Sequence, residues 1–273
     1  MKLRLVLVIF PVLLGLAACS GTKELTVEDP ETIYKKGLAY FEQGKYSRAI
    51  ETFQEVFTFG RAHQWADDAQ LYLARAYFMN KEYLLAANEF SRFIELYPTD
   101  PRAVDAEFER ALCYYYLSPP YELDQTDTEH AITYFRLFMT RYPNHPKAAE
   151  AGQKIQELTD KLAHKLYAAG QLYERRELYE AAGFTYERVL DRYPASSWTD
   201  DALLGAVRAY TLFAEASIPS RQKERFEQAI NVYLKFVQLF PQSPLLKEAE
   251  KYYQRAQQQL EQLEKAEQKT TSR

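Results

Sequence analysis

The chain has 273 residues, 47% of them hydrophobic, which is enough for one large domain or an elongated array. Only 9 residues are glycine and 15% are aromatic, 22 of them tyrosine, which argues against a loop-rich or β-rich chain and suits a helical core that buries rings while keeping hydroxyls near water. The net charge of −4 comes from interspersed charges of both signs, so there is no basic stripe for nucleic acid.

Positions 1–18 begin with Lys2 and Arg4 and continue into an apolar run from Leu5 to Leu16. That run is too short to cross a bilayer, which takes roughly 20 apolar residues, but it has the layout of a secretory signal. It ends Leu16-Ala17-Ala18-Cys19, which resembles the lipobox of bacterial lipoproteins. The resemblance implies cleavage before Cys19 and acylation of that residue. Several acyl chains anchor stably where one anchors only reversibly. Ser20 rather than Asp follows, which by the same resemblance favours the outer membrane. Positions 19–29 then read as the acylated cysteine and a polar tether. The second cysteine, Cys113, lies in the apolar run Ala111-Leu112-Cys113-Tyr114 and reads as a small buried hydrophobe.

From position 30 a periodic pattern begins. Tyr97-Pro98, Tyr142-Pro143, Tyr193-Pro194 and Phe240-Pro241 each close an apolar helical run, because proline lacks an N–H and drives the residue before it out of the α region. Ala86, Ala131, Ala182 and Ala229 stand four residues before an aromatic and twelve before these prolines. A first copy, with Ala49 and Phe53, lacks the proline. Partner helices carry Gly37/Tyr40, Ala74/Tyr77, Ala111/Tyr114 and Gly170/Tyr173, and more loosely Val207/Tyr210. Trp65-Ala-Asp-Asp-Ala69 and Trp198-Thr-Asp-Asp-Ala202 mark two helix starts, where aspartates complement the dipole and the free N–H groups.

The pattern resembles the tetratricopeptide repeat, a helix–turn–helix unit of roughly 34 residues. The predicted fold is therefore all-α: a helical-hairpin solenoid of about five repeats with a C-terminal capping helix. The proline spacings of 45, 51 and 47 exceed the family period. The excess is assigned to insertions at 117–128 and 216–221 and to a first helix of unit four extended over 147–176. N-terminal repeats one to three occupy 30–146 and repeats four and five 147–244. A cap follows at 245–273, with Leu245, Ala249, Tyr252, Ala256, Leu260 and Leu263 on one stripe and fraying expected from 264.

No catalytic constellation is legible. His63, His130, His145 and His164 lack partners at metal-ligand spacing, and no phosphate loop or nucleophile elbow is present. Neither a metal nor a cofactor is expected, and enzymatic activity is not. What remains is surface. By the repeat pattern a concave face would carry Tyr34, Leu38 and Phe41 from unit one, Leu71, Arg75 and Phe78 from unit two, and Phe108, Leu112 and Tyr115 from unit three. Tyr34, Phe41, Arg75, Phe78 and Tyr115 are the candidates for a peptide groove with apolar anchors and one cation.

A lipobox followed by five such units with a long insertion in the third is similar to the BamD family of outer-membrane lipoproteins. The likeness is carried by Leu84-Leu-Ala86-Ala-Asn-Glu-Phe90-Ser-Arg-Phe93-Ile94, by the 127–138 stretch around Ala131 and Phe135, and by Lys161-Leu-Ala-His with Gln171-Leu-Tyr-Glu-Arg175. The resemblance implies a lipid-anchored scaffold on the periplasmic side of the outer membrane. Its partners would be the periplasmic domains of the barrel-forming central assembly subunit, other assembly lipoproteins and unfolded outer-membrane proteins. Those last end in an aromatic residue and a carboxylate, which the N-terminal groove would receive. The alternative is another repeat lipoprotein that scaffolds peptidoglycan or cell-division factors. The fifth unit departs from the family through its 216–221 segment and the long helix after it.

Overall fold

A computed structural model describes residues 28–271, all of whose regular elements are helical. The leader, Cys19 and the tether up to position 27 lie outside the described residues. Five antiparallel hairpins follow one another. They are α1 (Pro30–Glu42) with α2 (Tyr46–Val56), α3 (Ala66–Met79) with α4 (Tyr83–Leu96), α5 (Ala103–Leu117) with α6 (Thr126–Arg141), α7 (Ala148–Arg175) with α8 (Tyr179–Arg192), and α9 (Thr199–Glu215) with α10 (Pro219–Leu239). α11 (Leu246–Thr271) closes the stack against α10 and α9.

The punctuation is local chemistry repeated. Tyr97, Tyr142, Tyr193 and Phe240, each before a proline, share φ between −136° and −126° and ψ between 55° and 60°, outside the α region. Within three hairpins the chain reverses through a left-handed residue: Gly44 at φ 71°, Lys81 at φ 65° and Glu177 at φ 60°. The residue after each donates its N–H back to the carbonyl of Tyr40, Tyr77 or Tyr173 at 2.9–3.0 Å, closing the helix end in a Schellman arrangement.

Small residues set how near the helices come. Ala49, Ala86, Ala131, Ala182 and Ala229 are fully buried, and so are Phe53, Phe135 and Tyr186. An added Cβ on Gly37 would lie 2.7 Å from the Phe53 ring, and one on Gly170 would lie 2.6 Å from that of Tyr186. A hairpin alone leaves its apolar face wet, so each is stabilised by the next. Phe108, Phe135, Phe138, Leu158 and Leu162 join α5, α6 and α7 in one cluster, while Ala163 of α7 belongs to the cluster of α8 to α11. The 28-residue α7 thus reaches from one packing layer into the next.

Three expectations need correction. The 216–221 segment is not a loop. Only 216–218 are non-helical, and Pro219 opens α10 at the first helical position, where its missing N–H is no loss. The excess of unit five is extra helix. The tail does not fray at 264, since α11 continues to Thr271. Lys223 lies 3.6 Å from Glu264 and from Glu267, and Lys265 lies 2.6 Å from Glu261, which extends the helix past its apolar stripe. The aspartates of the first repeated helix start sit in the first turn of α3, but they reach across to Arg102 rather than capping it. The insertion does form an irregular segment, over 118–125, held to α7 by Lys161 on Ser118 Oγ at 2.7 Å and Lys165 on the Leu123 carbonyl at 2.5 Å.

Candidate peptide-binding cleft

The first helices of units one to three, with α4 and the start of α7, line an open cleft of about 390 Å³. Phe90 and Phe108 form its buried floor, and Phe41, Phe78 and Leu112 line its walls. Met79, 46% exposed, stands at the mouth. Arg75, Glu109, Lys147 and Glu150 supply the charged rim. The walls are apolar because the first helix of each hairpin turns one apolar stripe to its partner and a second to the concave side.

Arg75 is already engaged. Its Nε and Nη2 each donate to a carboxylate oxygen of Glu109 at 2.9 Å, a bidentate pair that is part-buried. Burial works to lower the Arg75 pKa, but the hydrogen bonds and charge of Glu109 outweigh it and the net shift is upward. Lys147 is likewise held, with Nζ 2.7 Å from Asp105 Oδ1 and 5.1 Å from the centre of the Phe108 ring. An incoming carboxylate therefore competes with Glu109 and Asp105 for cations.

Not every expected groove residue faces the cleft. Phe41, Arg75, Phe78, Phe108 and Leu112 are brought together there. Tyr34 and Leu71 are interior, 7% and 0% exposed. Tyr34 stacks on Trp65 at 5.3 Å, and its burial, with Asp68 nearby, pushes its pKa up to about 12. Leu38 is half-buried against the first core cluster. Tyr115 instead ties α5 to α7: its hydroxyl donates to Glu157 Oε2 at 2.7 Å and Lys154 lies 4.0 Å from its ring centre. The bond to Glu157 and partial burial raise its pKa to about 12. The repeat pattern misplaced Tyr34, Leu71 and Tyr115 because α3, α4 and α7 cover faces that one hairpin alone would leave open.

Sequence reasoning missed Glu109, Met79, Phe90, Lys147 and Glu150. A signal for Glu109 was present. Arg75 and Glu109 are 34 residues apart, as are Glu107 and Arg141, and Glu174 and Arg208. That spacing puts opposite charges on α3 and α5, on the two helices of the third hairpin, and on α7 and α9. The C-terminal concave face uses the same device in reverse order, with Arg208 Nε donating to Glu174 Oε1 at 2.5 Å in a polar cleft of about 380 Å³.

Among the described residues no group of three or more His, Cys, Asp or Glu is placed to hold a metal, and no helix is long and apolar enough to cross a membrane. Cys113 is fully buried, donates to the Glu109 carbonyl at 3.2 Å, and has its thiol pKa pushed up by burial. Stacked hairpins around an apolar cleft, with charges committed to structural pairs, define a repeat scaffold of the docking kind. The family model of YfiO, described as an outer membrane lipoprotein, matches residues 27–224, and the chain belongs to that family. Among curated proteins it is similar to the outer membrane protein assembly factor BamD of Caulobacter vibrioides, 32% identical over 72% of this chain and 66% of that one. It is also similar to the protein of the same name from Rickettsia prowazekii, 28% identical over 77% and 84%. A solved tetratricopeptide-repeat protein of Bacteroides fragilis aligns over 85% of this chain and 99% of its own, at 15% identity and a TM-score of 0.45.

Proposed function

We propose that the chain is a lipid-anchored scaffold of outer-membrane β-barrel assembly, held through Cys19 at the periplasmic side of the outer membrane. The observation that carries this reading is family membership over 27–224 joined to an open apolar cleft whose rim carries Arg75 and Lys147 beside Glu109 and Glu150. The mechanism is binding and positioning, without bond making. Units four and five would hold the periplasmic domains of the central barrel-forming subunit, and other assembly lipoproteins would dock on the remaining surface. The N-terminal cleft would take the aromatic end of an unfolded barrel protein, with a ring against Phe78 and Phe108 and the terminal carboxylate exchanging with Glu109 on Arg75.

Two experiments test it. Cys19→Ala is expected to disappear from the outer-membrane fraction of a density gradient, since no described helix can replace the lipid. A variant that still bands there would sink the anchor. For the cleft, a labelled peptide with an aromatic C-terminal residue is titrated against three proteins. Arg75→Glu should weaken binding by about tenfold or more, since a charge-assisted hydrogen bond contributes about 1.5–3 kcal/mol. Glu109→Gln should tighten it several-fold by freeing Arg75. Equal affinities for all three would remove the cleft as the receptor.

A further inference from the structure

The first hairpin breaks the pattern that the other four keep. Counted from the buried alanine of each second helix, position eleven is Tyr97, Tyr142, Tyr193 or Phe240 and position twelve is proline, but the first hairpin has Gly60-Arg61. Gly60 at φ 90° reverses the chain after the 3₁₀ turn Phe57–Phe59. Arg61 folds back, its guanidinium 4.0 Å from the Phe57 ring centre and Nη1 donating to Gln70 Oε1 at 2.6 Å. One phenylalanine is thereby roofed and the other, Phe59, stands 40% exposed on a fixed loop.

Position ten, at the equivalent end of each second helix, is Phe59, Leu96, Arg141, Arg192 and Leu239, every one exposed. It is apolar in the two hairpins nearest the start of the chain and cationic in the next two. The end of α2 returns to the beginning of α1, and the contacts agree: Trp65 stacks on Tyr34, and Lys35 Nζ lies 6.0 Å from the Trp65 ring centre. The loop over 57–65 and the entry of the tether at Pro30 thus occupy the same end of the hairpin. Eleven residue-to-residue steps lead from Cys19 to Pro30, a reach of at most roughly 36–40 Å.

From this placement we infer that the edge bearing Phe59 and Leu96 rests in the interfacial zone of the bilayer to which the chain is tethered. The inference depends on the acylated Cys19 proposed above. Aromatic and aliphatic side chains partition to the headgroup–acyl boundary, and Phe59 and Leu96 are exposed to reach it. Charge contributes little. Glu28 and Glu31 are paired with Lys36 and Lys35, Asp29 caps α1, Arg61 is on Gln70, Asp67, Asp68 and Asp100 hold Arg102, Arg141 is on Glu107, and Glu55 and Glu95 stand four residues before Phe59 and one before Leu96 in the chain. Two side chains would not hold a free protein on a membrane. A tether that keeps them at high local concentration needs them only to choose which face turns to the lipid. The edge would then orient the concave cleft relative to the bilayer.

The test uses the full acylated chain in vesicles of phosphatidylethanolamine and phosphatidylglycerol. Single Phe59→Cys, Leu96→Cys and Ile218→Cys variants carry an environment-sensitive fluorophore, Ile218 being 65% exposed at the opposite, turn end of its hairpin. Cys113 is buried and Cys19 acylated, so the label goes to the introduced thiol. At 59 and 96 we expect a blue-shifted emission, at least threefold protection from an aqueous quencher relative to 218, and quenching by nitroxide-labelled lipid. Protein that floats with the vesicles while 59 and 96 are quenched from water as readily as 218 overturns the inference and leaves the anchor intact. Protein that does not float, or lacks acyl mass on Cys19, overturns the anchor and the inference with it.

Discussion

Phe135→Ala is expected to lower the unfolding free energy by about 3–5 kcal/mol, the range for removing a phenylalanine from a core that collapses only in part. Phe135 is fully buried and meets Phe108 edge-on at 5.6 Å between ring centres. Its cluster is the one that joins α5 and α6 to α7, so the cavity opens at the seam between successive packing layers. In a solenoid each unit is stabilised by its neighbours. The loss should therefore also divide the unfolding transition, with the hairpins before and after the seam melting separately. In a chain this size each kcal/mol moves the midpoint by about 2–4 °C, so a fall of about 6–20 °C is expected. Phe184→Ala is the comparison. That ring is 61% exposed, and its removal should change stability by about 0.5 kcal/mol or less. Urea and thermal unfolding followed by circular dichroism would read both. Equal effects for the two variants would contradict the packing described above.

Gly170→Ala and Gly205→Ala should each destabilise, although both glycines lie inside helices where alanine is normally better by about 0.5–1 kcal/mol. The Tyr186 ring decides the sign. A Cβ on Gly170 would lie 2.6 Å from one edge of that ring and a Cβ on Gly205 would lie 2.8 Å from the other. The ring is fully buried, and its hydroxyl donates to Glu174 Oε2 at 2.8 Å, so it cannot slide away from either. Overpacking of this kind costs about 1–3 kcal/mol, more than helix propensity returns. The pair should also couple. In a Tyr186→Leu background the glycine substitutions should cost less or turn favourable, giving a non-additive cycle. A Gly170→Ala variant more stable than the parent would contradict this close approach of α7 to the Tyr186 ring.

The hairpin order, the helix ends at Tyr97, Tyr142, Tyr193 and Phe240, and the buried row from Ala49 to Ala229 were all legible in the chain. Each depends on residues close in sequence. Proline acts on its neighbour, and a stripe at helical spacing acts along one helix. The length of α7 was legible for the same reason, since Leu158, Leu162 and Leu166 keep the period across it. The start of α10 was misread because a Pro in a short polar stretch reads equally as a turn or as a first helical residue. In the structure Pro219 takes the first helical position and Phe226, further along the same helix, is buried in the core.

The cleft was half legible. Phe41, Arg75 and Phe78 could be placed by register alone, but Tyr34 and Tyr115 could not, because which rings remain open depends on the neighbours that cover them. The state of Arg75 was equally hidden. Its charge is in the sequence, whereas its commitment to Glu109 exists only once α3 and α5 lie side by side. Periodicity and turn chemistry are properties of short stretches and survive translation into one dimension. Exposure and ion pairing are set by how successive hairpins rotate against each other, which residues far apart in the chain settle together.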